Sequence, residues 1–425
     1  MRVAKLDLPW LLTRLLTVSL PLLVALYGVT WFYWISTGSG LADRSGNPIG
    51  GDFSYYWSAS SLVLQGEPAA VYDLSRIKAV ELQVFGKEAT VPFPYPPTFL
   101  LLLLPFGLLP YLPSLALWLG VTLGGYLWTI RRIAPHPQII WLALAFPGAF
   151  QNFGFGQNGF LSAVLLGGGL LLVDRRPLAA GVLFGLLTYK PHLAVLMPVA
   201  LVAGRRWRSL WWMGVTCAAL ILASLLVLGP DTWRGFLSNL PGAVRLLETG
   251  SFSVIHKMPT VFCALIFAGA DPATARILHG AVMLAGAAAM AWVWWRGASP
   301  PLRNAISVLA ILLFIPHSFI YDLAILALPL AWLGWEGYTR GWRPGEKVFL
   351  ILGYFTPLVA PSVAQITRVQ SAPLILGALL FLAWRRAAQG SPSALPENLD
   401  HVPAIMPGDI PAHPAPDILG SKETS

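Results

Sequence analysis

A single acidic residue, Asp52, lies in the stretch GGDFSYYWSA (50–59), just after the first long apolar run of the chain. Its carboxylate follows two glycines and precedes a group of aromatic residues, where it could take a proton from a bound hydroxyl group. The same position also suits a structural role. An aspartate at the N-cap of a helix accepts hydrogen bonds from backbone N–H groups of the first turn. The sequence leaves both roles open.

The residues after Asp52 have the spacing of an amphipathic helix over about 53–65. Aromatic residues dominate one face and serines dominate the other. This pattern is typical of a helix in the membrane interface, with its aromatics against lipid or protein and its serines in water. The first face consists of Phe53, Tyr56, Trp57, Ser60 and Leu64, and the second of Ser54, Ser58, Ser61 and Gln65.

Further polar stretches interrupt the apolar sequence and carry side chains that could bind a substrate. YPP at 95–97 is a rigid arch, so Tyr95 could line a pocket or simply belong to a turn. FGFGQNG at 153–159 offers the amide groups of Gln157 and Asn158. Amides donate and accept hydrogen bonds and therefore suit sugar hydroxyls. A turn that connects two helices would have the same composition.

TYKPH (188–192) places an ionisable residue inside an apolar stretch, which in a membrane protein is a functional hypothesis by default. Pro191 removes a backbone donor and bends a helix at this point, and Lys190 could pair with a phosphate. The alternative is a lysine that reaches the interface from a helix end. His192 alone is more typical of a hydrogen-bonded polar residue than of a ligand.

Two later stretches, PHSFIYDL (316–323) and SVIHKMP (253–259), could form further walls of a site or plain interfacial turns. The three histidines at 192, 256 and 317 lack the local spacing of a zinc site. We therefore predict no metal site and no cofactor, and the need for a divalent metal stays open. The side chains considered for substrate binding are His317, Tyr321 and Asp322 in the first stretch and His256 and Lys257 in the second.

Membrane helices must position these residues. The chain has 425 residues, of which 56% are hydrophobic and only 11% are charged, whereas soluble domains carry about 25% charged residues. Apolar runs of roughly 18 residues or more recur, and each is long enough to cross a bilayer. The short alternating strands of a barrel are not seen in the sequence. We predict an all-α polytopic membrane protein with roughly 10–13 membrane segments.

The charge pattern predicts the orientation of the chain. Much of the net charge of +9 lies in short basic clusters at the ends of apolar runs, which are typical of cytoplasmic anchors rather than of nucleic-acid binding. The loop 36–97 holds six acidic and four basic residues, as expected for an extracytoplasmic loop, and the other polar breaks would share its side. We expect segment 98–111 only to dip into the membrane before 112–130 crosses it, since two full crossings would put Arg131 and Arg132 outside. The alternative is that 98–111 is a short full span.

Composition divides the chain into two parts. Residues 1–386 are predicted to form the transmembrane domain, in which 36–97 is the first extracytoplasmic loop and about 10–35 is an uncleaved first span. From about 387 the sequence becomes rich in proline and loses its apolar periodicity. This change predicts a disordered cytoplasmic tail over 387–425. The whole is expected to be a multi-pass protein of the plasma (inner) membrane.

The order of these landmarks resembles glycosyltransferase family 87, a family of integral membrane enzymes in the GT-C superfamily. The resemblance rests on Asp52 in the first outer loop, followed by YPP, GQNG, KP and the basic RRWR at 205–208, and it covers about 50–208. It implies a GT-C-like fold and a polyprenyl-phosphate-linked donor of mannose or another hexose or pentose. It also implies transfer to a glycan or lipid acceptor on the extracytoplasmic face, with Asp52 matching the carboxylate regarded as catalytic. GT-C enzymes often carry a second acidic residue near the first, and GGDF has none.

The hypothesis that follows is an inverting single displacement in which Asp52 is the general base. Lys190, His256 or Lys257 would counter the charge of the departing lipid phosphate. Two further classes of protein stay open. A polysaccharide polymerase or ligase would be expected to carry its large outer loop late in the chain. A transporter or flippase would be expected to carry internal repeats and several ionisable residues within its spans.

Overall fold

The computed structural model describes residues 8–86, 93–248 and 255–389, and these residues are mostly helical, with no β-strand among them. The predicted all-α class is confirmed. The predicted disordered tail over 387–425 lies almost wholly outside the described residues. It therefore stays a prediction, as does the division of the chain at 386.

The helices of the first half are mostly short. They are Leu8–Ser36, Phe53–Leu64, Leu74–Phe85, Pro97–Gly107, Tyr111–Ile133, Ile139–Ala145, Pro147–Gly154, Gly159–Leu172, Pro177–Leu186, Pro191–Ala194 and Met197–Ala203, with 3₁₀ helices at Pro68–Tyr72 and Leu187–Tyr189. The second half contains Trp207–Leu228, Pro230–Glu248, Val261–Phe267, Pro272–Trp295, Pro300–Phe314, Ala327–Arg340, Glu346–Thr367 and Ala372–Ala388, with a 3₁₀ helix at Ile320–Leu326.

Long apolar helices make the protein polytopic. Among the described residues, four helices are long and apolar enough to cross a membrane, and two more that meet at 117° would form a fifth, broken crossing. Four shorter apolar helices accompany them, so the number of crossings stays a prediction. The four long segments are Thr17–Ser36, Trp207–Leu228, Pro272–Trp295 and Glu346–Thr367, and the bent pair is Pro97–Gly107 with Tyr111–Ile133.

The bent pair bears on the expected dip at 98–111. Helix Pro97–Gly107 has 11 residues, which at 1.5 Å per residue is about 16 Å long. The hydrocarbon core of a bilayer is ~30 Å thick. This helix is therefore too short to cross on its own, which supports the expectation that only Tyr111–Ile133 reaches the side of Arg131 and Arg132.

Proline explains why so many helices are short. Pro97, Pro177 and Pro191 each stand at the start of a helix, where the missing N–H group has no intrahelical partner to lose. A proline also disfavours helical geometry in the residue before it. Pro191 begins a new helix just after the 3₁₀ helix Leu187–Tyr189, and polar backbone atoms are left at that break.

The first loop is folded rather than extended. The two helices predicted at about 53–65 and 74–85 are confirmed as Phe53–Leu64 and Leu74–Phe85. Asp73 caps the second of them by accepting a hydrogen bond from the Ser75 backbone N–H at 2.8 Å. Gly86 follows with φ +69°, the left-handed conformation that commonly terminates a helix.

The prediction that the serine face of Phe53–Leu64 meets water is wrong at Ser54 and Ser58. Both side chains are buried, and their hydroxyl groups donate to the Glu81 carboxylate at 2.9 and 2.6 Å. The reason is that the neighbouring helix Leu74–Phe85 supplies the acceptor. The serine face therefore packs inside the loop, and the aromatic face packs toward helix Pro97–Gly107.

Two glycine-containing turns contact each other directly beside Asp52. The Asp52 backbone N–H donates to the Phe155 carbonyl at 3.0 Å. Gly156 has φ +58°, and a Cβ atom there would lie 2.3 Å from the Gly50 carbonyl oxygen. The Trp118 indole N–H donates to the Gly156 carbonyl at 3.0 Å. Only a glycine at 156 lets the two turns approach this closely.

We expect Gly156→Ala to destabilise the protein by about 1–3 kcal/mol, because the methyl group both clashes with Gly50 and occupies a left-handed conformation. The measurement is the thermal unfolding of the purified protein in detergent. Gly120→Ala is the matched control, since a Cβ there meets nothing within 4 Å and alanine favours a helix. Equal melting temperatures for both variants would contradict the close contact.

Candidate active site

Asp52 does not cap the helix that follows it. Its φ of −69° and ψ of −8° are helical, and its side chain makes no cap hydrogen bond, so of the two roles that the sequence left open, the N-cap role is not seen. An N-cap residue normally has an extended conformation, which Asp52 lacks. Instead, the Gln157 Nε2 atom donates to Asp52 Oδ2 at 2.6 Å. The carboxylate therefore faces the GQNG turn rather than its own helix.

Gln157 and Asn158 converge on a tyrosine that sequence reasoning assigned only to a packing face. The Tyr56 hydroxyl donates to Gln157 Oε1 at 2.6 Å and accepts from Asn158 Nδ2 at 2.9 Å. The Tyr95 hydroxyl lies 3.1 Å from that of Tyr56. Tyr56 stands one turn after Asp52 on the same helix face, and this spacing is the signal that could have identified it.

Lys190 and Asp322 form an ion pair behind these amides. Both residues are buried, at 4% exposure each. The Lys190 ammonium also donates to Asn158 Oδ1 at 2.9 Å. Asp322 Oδ2 accepts from the Phe319 backbone N–H at 3.2 Å. The pair thus joins the helix break at Pro191 to the 3₁₀ helix Ile320–Leu326.

Burial raises the pKa of the Asp52 carboxyl above its ordinary value. The hydrogen bond from Gln157 opposes this effect, the negative charge of Asp322 adds to it, and the positive charge of Lys257 lowers the pKa again. A raised pKa strengthens a carboxylate as a proton acceptor. The lowering effect of Lys257 also means that this cation lies within electrostatic reach of Asp52.

The open side of this arrangement carries Lys257 and Tyr321. Lys257 is exposed, and its carbonyl accepts from the Ile320 backbone N–H at 3.0 Å, which holds it beside the 3₁₀ helix. Tyr321 is partly exposed, packs against Phe155 at 5.9 Å between ring centroids, and interacts electrostatically with Asp52.

The three histidines take different positions. His192 interacts electrostatically with both Lys190 and His317, and its Nε2 atom is buried without a hydrogen-bond partner among the described residues. The His317 ring packs edge-on against Phe262 at 5.5 Å. His256 is 9% exposed, so it is less accessible than its neighbour Lys257.

Glu81 is a second carboxylate near Asp52 that lies 29 positions further along the sequence. Burial raises the pKa of the Glu81 carboxyl, the hydrogen bonds from Ser58 and Ser54 lower it, and the charge of Asp52 raises it further. Glu81 was not among the candidate site residues of the sequence, because it lies far from GGDF along the chain. The available signal was the pair Ser54 and Ser58, whose spacing of four residues puts two hydroxyl donors on one face of a helix.

A site built from a half-buried carboxylate, two amides and two tyrosines, at breaks between membrane helices, can bind hydroxyl-rich ligands and remove a proton. Comparison with protein families is decisive for its class. The model of glycosyltransferase family 87 matches residues 93–316, which is more than half of the chain. The chain belongs to this family. It is a multi-pass membrane glycosyltransferase, so it acts on a sugar donor and an acceptor within a lipid environment.

Membership of family 87 favours a glycosyltransferase over a transporter, a flippase or a polysaccharide polymerase. The matched range includes Tyr95, Gln157, Asn158 and Lys190, whereas Asp52 and Asp322 lie outside it. Asp52 is therefore connected to the family region by its contacts rather than by the match itself. No match was found among curated proteins or among solved structures.

Proposed function

We propose that the protein transfers a sugar from a polyprenyl-phosphate donor to a glycan or lipid acceptor on the extracytoplasmic face, with inversion at the anomeric carbon. Mannose, another hexose or a pentose would be the transferred sugar. One observation carries the proposal: the Asp52 carboxylate is held by a single amide while its side chain makes no cap bond. The membrane helices supply a route for a donor that is anchored in lipid.

Asp52 has the arrangement of a general base. Gln157 fixes Oδ2 at 2.6 Å, and within the described part of the chain no protein hydrogen bond reaches the other oxygen, Oδ1. That oxygen can accept the proton of an acceptor hydroxyl. The hydroxyl oxygen then bonds to the anomeric carbon while the bond from that carbon to the phosphate oxygen breaks. The electron pair leaves with the lipid phosphate, and the proton stays on Asp52.

Lys257 is the cation best placed for the leaving phosphate. Lys190, which the sequence also suggested, is buried and already paired with Asp322, so binding a phosphate there would leave a buried carboxylate without its partner. Lys257 is exposed and still within electrostatic reach of Asp52. Its ammonium group would stabilise the negative charge that develops as the donor bond breaks.

The proposed side of the membrane follows from the two ends of one helix. Helix Gly159–Leu172 starts at the site, directly after Asn158, and its 14 residues rise about 21 Å, which covers about two thirds of the ~30 Å hydrocarbon core. Asp174 follows its far end and pairs there with Arg206 and Arg303. Basic clusters are typical of the cytoplasmic side, so the end that carries the site would face away from the cytoplasm.

We expect Asp52→Asn to lower the rate of sugar transfer about 10²–10⁴-fold, the usual contribution of a general base. The assay uses purified protein with a radiolabelled polyprenyl-phosphate sugar and an acceptor extract from the same membranes. Asp73→Asn is the matched control in the same loop, because asparagine is also a good N-cap. Equal transfer by wild type and Asp52→Asn would refute the assignment of the base.

We expect Lys257→Ala to raise the KM for the polyprenyl-phosphate donor roughly tenfold, since a hydrogen bond to a charged group contributes about 1.5–3 kcal/mol. The KM for the acceptor should stay unchanged. Lys347→Ala is the control, because that exposed lysine lies over the Trp342 ring. An unchanged donor KM in Lys257→Ala would contradict a phosphate contact at this residue.

Cysteine labelling tests the proposed side. In a background with Cys217→Ala and Cys263→Ala, an impermeant maleimide should label Ser45→Cys in intact cells, because Ser45 is exposed in the first loop. Arg175→Cys, exposed near Asp174, should be labelled only after permeabilisation. The reverse pattern would put the site on the cytoplasmic side.

A further inference from the structure

We propose that Lys190 is a positioning residue for Asp52, acting through a chain of hydrogen bonds whose direction its ammonium group sets. The inference rests on the proposed function, in which Asp52 is the base. Every link connects buried or half-buried side chains. The links are Lys190 to Asn158 at 2.9 Å, Asn158 to Tyr56 at 2.9 Å, Tyr56 to Gln157 at 2.6 Å and Gln157 to Asp52 at 2.6 Å.

The donor-to-acceptor direction of this chain of hydrogen bonds follows from the chemistry of its first member, Lys190. A lysine ammonium has three donors and no acceptor, so the amide of Asn158 must turn its oxygen toward Lys190. The amide nitrogen of Asn158 then points at Tyr56 and donates to the hydroxyl oxygen. Asp322 holds the ammonium in place from the other side, which keeps the lysine from turning away.

The same logic continues to Asp52. The Tyr56 oxygen accepts from Asn158, and the Tyr56 proton goes to Gln157 Oε1 at 2.6 Å, a shorter contact than the 3.1 Å to the Tyr95 hydroxyl. The Tyr95 hydroxyl at 3.4 Å and the Asn158 backbone N–H at 3.3 Å also reach Oε1 and support this orientation. With its oxygen engaged on this side, Gln157 presents its N–H group to Asp52. The carboxylate oxygen Oδ2 is thereby fixed, and among the described residues Oδ1 receives no protein hydrogen bond.

The chain also tunes the basicity of Asp52, because the bond from Gln157 lowers the pKa of that carboxyl while burial raises it. Loss of the orientation weakens this bond, so the Asp52 pKa rises and the ionised base is lost at a higher pH. Other titratable groups interact with Asp52 as well, so a variant that removes one of these charges needs its own reference variant. The titratable groups that interact with it are Tyr56, Glu81, Tyr111, Lys257, Tyr321 and Asp322.

Three variants interrupt the chain at different links. Tyr56→Phe removes the proton that Gln157 accepts. Asn158→Asp offers the Tyr56 proton a carboxylate and so turns it away from Gln157. The double variant Lys190→Met with Asp322→Asn removes the ammonium without leaving a buried unpaired charge. Its acid limb is compared with that of Asp322→Asn alone, because loss of the Asp322 charge by itself lowers the Asp52 pKa. Ser162→Ala is the matched control, since it deletes a neighbouring buried hydrogen bond to Tyr189 at 2.7 Å outside the chain.

The readout is the pH profile of transfer. In all three variants the acid limb of kcat/KM should move to higher pH. At pH values below the acid limb, the variant rate should be roughly tenfold lower than that of the unaltered protein, as expected for one hydrogen bond to a charged group. The rate should recover as the pH rises. The donor KM and the profile of Ser162→Ala should not change. A loss of kcat/KM that is equal at every pH would mean a purely structural role. A donor KM that rises only in the lysine variant would mean that Lys190 contacts the phosphate. Either result overturns the proposal.

A second measurement separates this inference from the proposed function. The protonated carboxyl of Asp52 absorbs in the infrared, and its band is identified by difference from Asp52→Asn. Its titration should move to higher pH in the three variants. If it does so while Asp52→Asn retains full transfer, the positioning chain stands and the base assignment fails. If the titration does not move, the positioning chain is overturned whatever Asp52→Asn does.

Discussion

The contact between two backbone turns holds the rest of the site together. In the turn at Gly50–Asp52, the Asp52 backbone N–H donates a hydrogen bond to the Phe155 carbonyl. The Gly156 carbonyl accepts one from the Trp118 indole N–H. Since no side chain fits between Gly156 and Gly50, the distance between the loop carboxylate and the Gln157 amide is set by the backbone. The orientation of the Gln157 amide is left to its side-chain hydrogen bonds. The backbone contact in this way holds the loop that carries Asp52 at a fixed place beside the GQNG turn.

Breaks in the membrane helices supply the other half of the site. A helix in lipid satisfies its own backbone groups, so polar residues have no role on its surface unless they face protein or a wet cavity. Lys190 precedes Pro191 at such a break, and Asp322 lies in the irregular segment Ile320–Leu326. Each break exposes polar atoms that need partners. The ion pair between their side chains connects the two segments, and Asp322 also accepts from the Phe319 backbone N–H.

The sequence could predict the elements of this site but not their pairing. The polar interruptions marked Tyr95, Gln157 and Asn158 because amides and hydroxyls are rare in apolar runs, and the helix pattern of the first loop predicted both of its helices. Two features depended on contacts distant in the sequence. Ser54 and Ser58 of the loop helix turn inward because Glu81, on another helix, accepts hydrogen bonds from their hydroxyl groups. The Asp52 carboxylate leaves its helix because Gln157, 105 residues later, offers a better donor. Periodicity contains no information about either contact.

The position of Lys190 illustrates why a lone charge in an apolar run has more than one meaning. A buried ammonium is costly to desolvate and is retained where it is paired and hydrogen-bonded. Here its partners are Asp322 and Asn158, and neither contact leads outward to a ligand. A lysine also differs from every neutral polar residue in that it cannot accept a hydrogen bond. A serine or an amide at this position would leave Asn158 free to turn over, and the proton order along the chain to Asp52 would no longer be unique. The Lys190 charge thus selects one set of hydrogen-bond directions among several of similar geometry, which is a reason to bury it behind the site. An exposed lysine such as Lys257 can then bind a substrate.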